Sequence, residues 1–250
     1  MQPSDIEETR NFWDRTAEDW RVQVGDAGDR NRILNSDPVL WDFLGDVADR
    51  TVLDAGCGTG YLSRQLAARG AAVVGVDFSQ RMIEVAQREV GEVEFRVDSC
   101  MDLATCADAE FDALVSNYVL MDLPDLQGAV DAFYRVLRPG GLAVVVFSHP
   151  CFPAAMAKPK RKSVDYHWPH SYFEPTKHSD PPWAHFKDNF IWFHRPLSDY
   201  WRSFVQAGFR VTGFDEPKLT ADRFHLATDQ ERETLLRRPY SLAFQLEKPA

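Results

Sequence analysis

The chain has 250 residues, 44% of them hydrophobic and 26% charged, with a formal net charge of −10. That length suits one large domain with an elaboration, and an acidic balance argues against a binder of nucleic-acid backbones. No apolar run approaches the roughly 18 residues of a membrane span, and the acidic start Met-Gln-Pro-Ser-Asp-Ile-Glu-Glu is unlike a signal peptide.

Phe12, Trp13 and Trp20 fall on a first predicted helix. After a polar gap with Gly25 and Gly28, Asp37-Pro38 reads as the N-cap and first turn of a second helix over Val39–Ala48. Strand and helix then alternate. Thr51–Leu53 is a strand, followed by a glycine turn and a helix over Tyr61–Arg69 closed by Gly70. Ala72–Val76 is a continuous apolar strand of the kind covered on both faces. Ser79 caps a helix carrying Met82, Ile83, Val85 and Ala86 on one side. Strands over Val93–Val97 and Ala113–Ser116, a helix over Leu126–Leu137 and a strand over Leu142–Phe147 complete the alternation. This order predicts an α/β fold, a doubly wound parallel sheet with right-handed crossovers.

The texture changes after Ser148. Residues 149–195 are rich in Pro, His and aromatics, including Trp168, Trp183 and Trp192. A structureless loop of that length is unusual, so partial order is expected, with a hairpin around Tyr172-Phe173 and Phe190–Phe193. Ser198 then reads as the cap of a helix through Ala207, followed by strands over Arg210–Phe214 and Ser241–Leu246. The expected organisation is an N-terminal helical cap (1–50), a cofactor-binding core (51–148), an aromatic-rich substrate cover (149–195) and the rest of the core (196–250). Lys158–Lys162, Lys-Pro-Lys-Arg-Lys, reads best as a solvated loop. Cys57, Cys100, Cys106 and Cys151 show no Cys-x-x-Cys spacing, which points to a reducing, cytoplasmic setting and no metal site.

The most informative stretch is Val52–Gly60, Val-Leu-Asp-Ala-Gly-Cys-Gly-Thr-Gly. Glycines there let a ligand approach the backbone, and such a turn at the carboxyl edge of a parallel strand is where open α/β sheets bind nucleotides. Asp77 ends the second strand, where a carboxylate accepts hydrogen bonds from ribose hydroxyls. Asp98 follows the third strand and suits an adenine amine, although a turn Asp is the plain alternative. Asn117 and Tyr118 leave the fourth strand as one wall of a pocket. Glycines at 56, 58 and 60 do not match the Gly-x-Gly-x-x-Gly of nicotinamide enzymes.

Taken with Gly-Val-Asp-Phe-Ser, Val-Asp-Ser, Phe-Asp-Ala-Leu-Val-Ser-Asn and Leu-Arg-Pro-Gly-Gly, this stretch resembles the class I, Rossmann-like S-adenosylmethionine-dependent methyltransferases of the bacterial small-molecule type, over roughly residues 35–150. The resemblance implies a seven-stranded, mostly parallel sheet with its last strand antiparallel, and S-adenosyl-L-methionine as cofactor. It places Asp54, Gly56, Gly58 and Gly60 at the methionine end, with Cys57 matching the turn. Asp77 would hold the ribose, Phe78 the adenine side, and Asp98 and Ser99 the adenine amine. Asn117 and Tyr118 would lie near the sulfonium, with Ser79, Met82 and Trp20 as further cofactor neighbours, although Trp13 and Trp20 also read as helix packing.

The expected reaction is methyl transfer to a small aromatic or heterocyclic metabolite at oxygen, nitrogen or carbon. The alternatives are a cofactor-binding protein without transfer, or a protein or RNA substrate. His149, which follows strand five, Tyr118 and His194 are candidate catalytic groups, and Asp122 is a further carboxylate in reach. Tyr118, His149, Phe152, Tyr172, Trp192 and Arg195 are candidate substrate contacts, with Arg195 pairing either Asp199 or an anionic substrate group. The expected partners are a small molecule, with no nucleic acid and no membrane, on a monomer or homodimer.

Overall fold

A computed structural model describes residues 3–152 and 171–250. Lys158–Lys162 and Trp168 lie outside the described residues. Helix α1 (Pro3–Val24) and α2 (Asp37–Leu44) precede the alternating core of β1 (Thr51–Ala55), α3 (Tyr61–Ala67), β2 (Ala72–Asp77), α4 (Gln80–Glu89), β3 (Glu94–Val97), β4 (Phe111–Asn117), α5 (Leu126–Val136) and β5 (Leu137–Ser148). A hairpin of β6 (Thr176–Asp180) and β7 (Phe190–His194) follows, then α6 (Leu197–Ala207), β8 (Arg210–Asp215), α7 (Asp229–Leu235) and β9 (Ser241–Glu247).

The main sheet has seven strands in the order β3-β2-β1-β4-β5-β9-β8. Strands β1 to β5 pair in parallel, and the last strand, β9, runs antiparallel between β5 and β8. The period-2 alternation of β5 sorts its side chains onto two cores. Ala143, Val145 and Phe147 face α5 and α6, among Phe133, Tyr200, Phe204 and Phe244. Val144 and Val146 face α2 and α3, among Leu40, Leu44, Leu62 and Leu66. Covered on both faces, these strands read as the continuous apolar runs seen in the sequence.

Several boundaries differ from the sequence reading. Residues 25–36 are not merely a polar gap, because Arg32–Ser36 forms a π-helical turn that leads straight into α2. Asp37 is inside α2 and caps nothing; its carboxylate accepts instead from the Tyr61 hydroxyl at 2.5 Å. Ser198 likewise lies inside α6, whose N-cap position is Pro196. The hairpin forms, but its first strand starts at Thr176 rather than near Tyr172, opposite His194. Helix α7 has no counterpart in the sequence reading; a reciprocal capping box between Thr228 and Glu231 starts it.

Helix α1 bridges two parts of the molecule. Ala17 packs on Met82 and Val85 of α4, while Phe12 packs on Ile191 and Phe193 of β7. The helix thereby ties the sheet edge to the hairpin and carries Trp13 and Trp20 across the carboxyl ends of β1 and β2. The ring of Phe147 stacks on Tyr200 at 4.3 Å between centroids and lies 5.9 Å from Phe244, all three nearly inaccessible to water. Phe147→Ala is expected to destabilise the protein by about 3–5 kcal/mol, read by urea denaturation with the far-UV circular dichroism of the native state unchanged.

Candidate active site

β1 ends in Asp54-Ala55 and the chain reverses through Gly56–Gly60 into α3. The N–H groups of Gly56 and Cys57 both donate to the Val76 carbonyl, at 2.8 and 2.9 Å, which locks the turn to β2. Gly58 N–H then donates to one carboxylate oxygen of Asp77 at 3.0 Å, and Ser79 N–H to the other at 2.9 Å. Asp54 accepts from the Ser63 hydroxyl at 2.6 Å. Gly56 has φ +78°, and a Cβ there would meet the Val119 side chain at 2.4 Å, so only glycine fits.

Both carboxyls are buried in this turn. Burial pushes Asp54 up to about 7 against the lowering effect of Ser63, and Asp77 up to about 6 against the amides of Ser79 and Gly58. The Cys57 thiol is also raised, by burial and then by these two acids, so it is an unreactive small residue of the turn.

A crevice opens above this turn. Asp54, Gly56, Cys57, Gly58 and Asp77 form its floor, while Phe78, Met82, Asn117, Tyr118 and Trp20 line its sides. The structure therefore brings ten of the residues expected to hold the cofactor to one place. Four others do not line it. Gly60 has φ +81° and faces Phe95, Ala86 and Val90, so it serves packing under α3. Ser79 caps α4 and donates to Asp14 at 2.6 Å. Asp98 does not present a receptor for an amine: its two oxygens accept the Ser99, Ala104 and Thr105 amides and the Thr105 hydroxyl, organising its own loop. Ser99 belongs to that loop, its hydroxyl accepting from Met101 N–H.

Arg32 is the main residue that the sequence reading missed. It is buried, paired with Asp29 at 2.8 Å, and its guanidinium carbon lies 5.4 Å from the Trp20 ring and 5.8 Å from that of Tyr118. It projects from the π-helical turn, a segment with no apolar period to mark it.

The crevice continues into a cavity of about 580 Å³ between α1, the hairpin and the end of β5, within the range of small-molecule sites. Tyr118, His149, Trp192 and Arg195 of the expected acceptor residues line it, as does His194, expected as a catalytic group. Phe152 and Tyr172 do not. Phe152 packs on the His149 ring, and the Tyr172 hydroxyl accepts from Leu197 N–H at 2.9 Å, holding the start of α6.

The three expected catalytic groups all have partners within the chain. His149 Nδ1 accepts from Cys151 N–H at 3.1 Å, which leaves the proton on Nε2, 2.7 Å from Glu216. Burial lowers its pKa, so it is a neutral imidazole that ties residues 149–151 to Glu216 rather than a base facing an acceptor. His194 donates from Nε2 to the Tyr172 carbonyl at 2.9 Å. Tyr118 shares a 2.5 Å hydrogen bond with Ser241, and burial raises its phenol. Arg195 pairs neither Asp199, which bonds Arg202, nor an open anion site: it gathers the carbonyls of Leu120, Leu123 and Pro124.

Comparison with known proteins places this geometry. Residues 53–145 match the family model described as a methyltransferase domain. The chain is 40% identical over 112 residues, 43% of this chain and 46% of the other, to a demethylmenaquinone methyltransferase of Tropheryma whipplei. It is 34% identical over 129 residues, 48% of this chain and 51% of the other, to a ubiquinone biosynthesis O-methyltransferase of Alkalilimnicola ehrlichii. It spans about half the length of these curated relatives.

Among solved structures, it matches an S-adenosylmethionine-dependent methyltransferase structure from Listeria monocytogenes with TM-score 0.70 and 24% identity, covering 85% of this chain and 96% of that one. It also matches a 1,6-didemethyltoxoflavin-N1-methyltransferase from Burkholderia thailandensis, with its substrate and S-adenosylhomocysteine bound, at TM-score 0.62 and 17% identity, covering 100% and 92%. The fold is that of the Rossmann-like S-adenosylmethionine-dependent methyltransferases. Structures of this fold are described with S-adenosylmethionine or S-adenosylhomocysteine bound, and the crevice here has features that fit such a ligand: a backbone bare of side chains, acids at the ends of β1 and β2, and aromatic sides. No described helix is long and apolar enough to cross a membrane.

Gly56→Ala is expected to weaken S-adenosylhomocysteine binding at least about tenfold, from the positive φ and the crowding of Val119 together. Adding Val119→Ala should restore part of that loss, as read by calorimetry. In the unfolded chain Asp54 ionises near 3.9, whereas the folded protein keeps its proton to about 7. Folding thus binds a proton, and the stability contributed by this group is full below pH ~4 and lost as pH rises towards 7. The melting temperature of Asp54→Asn should therefore gain on that of the wild type between pH 5 and pH 8.

Proposed function

We propose that the chain transfers a methyl group from S-adenosylmethionine to a small aromatic or heterocyclic acceptor bound in the 580 Å³ cavity. The observation that carries this reading is continuity. Trp13, Trp20, Arg32, Tyr118 and Asp122 line both crevice and cavity, so an acceptor seated in one can reach a cofactor in the other.

In this reading Asp77 takes the ribose hydroxyls on the lone pairs that Gly58 and Ser79 leave open, and Phe78 flanks the adenine. Asp54 and the bare turn hold the methionine end. Asn117 and Tyr118 close the crevice toward the sulfonium, which when bound supplies a methyl carbon activated for in-line displacement. The protein's own contribution is to orient the two reactants and keep water out. Trp13, Trp183, Phe190 and Trp192 present ring surface to a flat acceptor, and Trp192 is fixed by its indole N–H on Asp180 at 2.8 Å.

The names of the relatives, which describe O-methylation in ubiquinone biosynthesis and methylation of demethylmenaquinone, support a small acceptor. A protein that merely held the cofactor would have no need of a ring-lined cavity beside it. A protein or RNA substrate would rest on the basic segment 158–162, outside the described residues.

Labelled methyl transfer to a panel of phenols, catechols and nitrogen heterocycles tests the proposal. Label is expected in members of one class, and Trp192→Ala should lower kcat/KM for them by about tenfold or more through lost ring contact. Tight S-adenosylhomocysteine binding with no labelled product from any panel member would overturn it.

A further inference from the structure

We propose that the Asp122 carboxyl, at the neck where the crevice opens into the cavity, receives the proton of an O–H or N–H acceptor. This rests on the methyltransferase reading above and names the acceptor's chemistry within it.

Five residues form the neck. Trp13 and Trp20 have no basic atom. Arg32 is a cation already paired with Asp29. The Tyr118 hydroxyl is engaged by Ser241. Asp122 is the remaining group that can take a proton, and no hydrogen bond reaches its carboxyl from the described residues. Its place is fixed all the same. It ends the 3-10 turn Leu120–Asp122, its N–H donates to the Val119 carbonyl at 2.8 Å, and buried Arg195 draws together the carbonyls on either side of it. That gives Arg195 a purpose the acceptor does not supply: it positions the turn that carries the acid.

Asp122 lines both crevice and cavity, and desolvation raises its pKa well above the usual range. Titratable and charged groups face it from several sides: Arg32 from the π-helical turn, Tyr118 from the end of β4, Tyr200 from α6 and Arg195 from the end of β7. Asp54 and Asp77 lie across the crevice, and His149, His194, Asp29 and Asp180 around the cavity. Among the described residues no cation bonds the carboxyl, and its burial favours the protonated form. A sulfonium in the crevice brings the missing positive charge, which favours the carboxylate. The base is thus generated when the charged methyl donor is present, and not by the neutral thioether product.

In the transfer, a lone pair of the acceptor oxygen or nitrogen forms the bond to the methyl carbon. The electron pair of the carbon–sulfur bond stays on sulfur. The acceptor's proton moves to a carboxylate oxygen of Asp122 and later leaves to water through the cavity mouth.

Calorimetry of S-adenosylmethionine and S-adenosylhomocysteine binding at pH 6, 7 and 8, in phosphate and Tris buffers, reads the linked proton without any acceptor. The wild type should release more protons with the sulfonium than with the thioether. Its preference for the sulfonium should rise with pH by up to about tenfold per unit. In Asp122→Asn that pH-dependent gap should narrow to the part that Asp54 and Asp77 supply, while the thioether still binds, which shows a folded crevice, and Asp122→Glu should keep the full gap with a shifted midpoint. With a panel of phenols of graded acidity, Asp122→Asn should slow the least acidic ones most and remove the acid limb of the kcat/KM profile. An unchanged gap in Asp122→Asn, with both ligands bound, overturns the role of Asp122 and leaves the methyltransferase reading standing. Absence of heat with either ligand in the wild type overturns both.

Discussion

The site depends on one contact, the Gly58 amide on the Asp77 carboxylate. It joins the bare turn after β1 to the end of β2, and it can form only because Gly56 and Cys57 have already bent back onto the Val76 carbonyl. A side chain at Gly56 would strike Val119 and break the approach. The geometry of the crevice is therefore set by backbone, which does not change rotamer, and the side chains around it add chemistry to a fixed frame. Parallel pairing of β1 with β2 supplies the register that puts the two strand ends level, with Ala55 opposite Val76.

The frame carries an electrostatic cost that a cation relieves. Asp54, Asp77 and Asp122 all face the crevice, and burial raises all three carboxyls. Buried charge is unfavourable, so these groups hold their protons to higher pH than carboxyls in water do. The nearest protein cation, Arg32, is committed to Asp29 and sits among the rings of Trp20, Tyr61 and Tyr118. A ligand with one positive centre and two ribose hydroxyls suits such a place better than any neutral nucleoside. The preference for the sulfonium over its thioether that we propose rests on charge and needs no separate recognition of the methyl group.

The sheet was legible because its signals are local. Apolar runs in β1, β2 and β5 and an amphipathic α4 state their own periods, and Gly56 and Asp77 announce a turn and a strand end. What the sequence did not show depends on how other residues fold back onto a group. Asp98 has the residue type and position expected of an adenine contact, but the loop to Thr105 folds back and takes every oxygen. His149 follows strand five as anticipated, yet Glu216, 67 residues further on, decides what its ring does. Arg32 lies in a π-helical turn, whose period matches neither template applied to a sequence. The hairpin was found by its aromatic second strand. Its first strand, Thr-Lys-His-Ser-Asp, is polar because it is exposed, and so carries no apolar alternation.

The two halves of the site come from different parts of the chain, and this bears on how acceptors are selected. The crevice floor lies within residues 53–145, the segment that matches the methyltransferase domain. The ring surface of the cavity comes from Trp13 and Trp20 of α1 and from Trp183, Phe190 and Trp192 in and beside the hairpin, all outside it. Substitutions in the hairpin can reshape the cavity without touching the Gly58–Asp77 contact, because β7 meets α1 through Phe12, Ile191 and Phe193. Tyr118 and Asp122 are the exceptions, residues of the matched segment that lie at the neck, and the turn carrying Asp122 is held there by Arg195 from the end of β7. Proton acceptance is thereby coupled to the hairpin that shapes the acceptor cavity. A change of acceptor that moved β7 would move the acid as well, so the hairpin sets both which ring enters and whether its proton can leave.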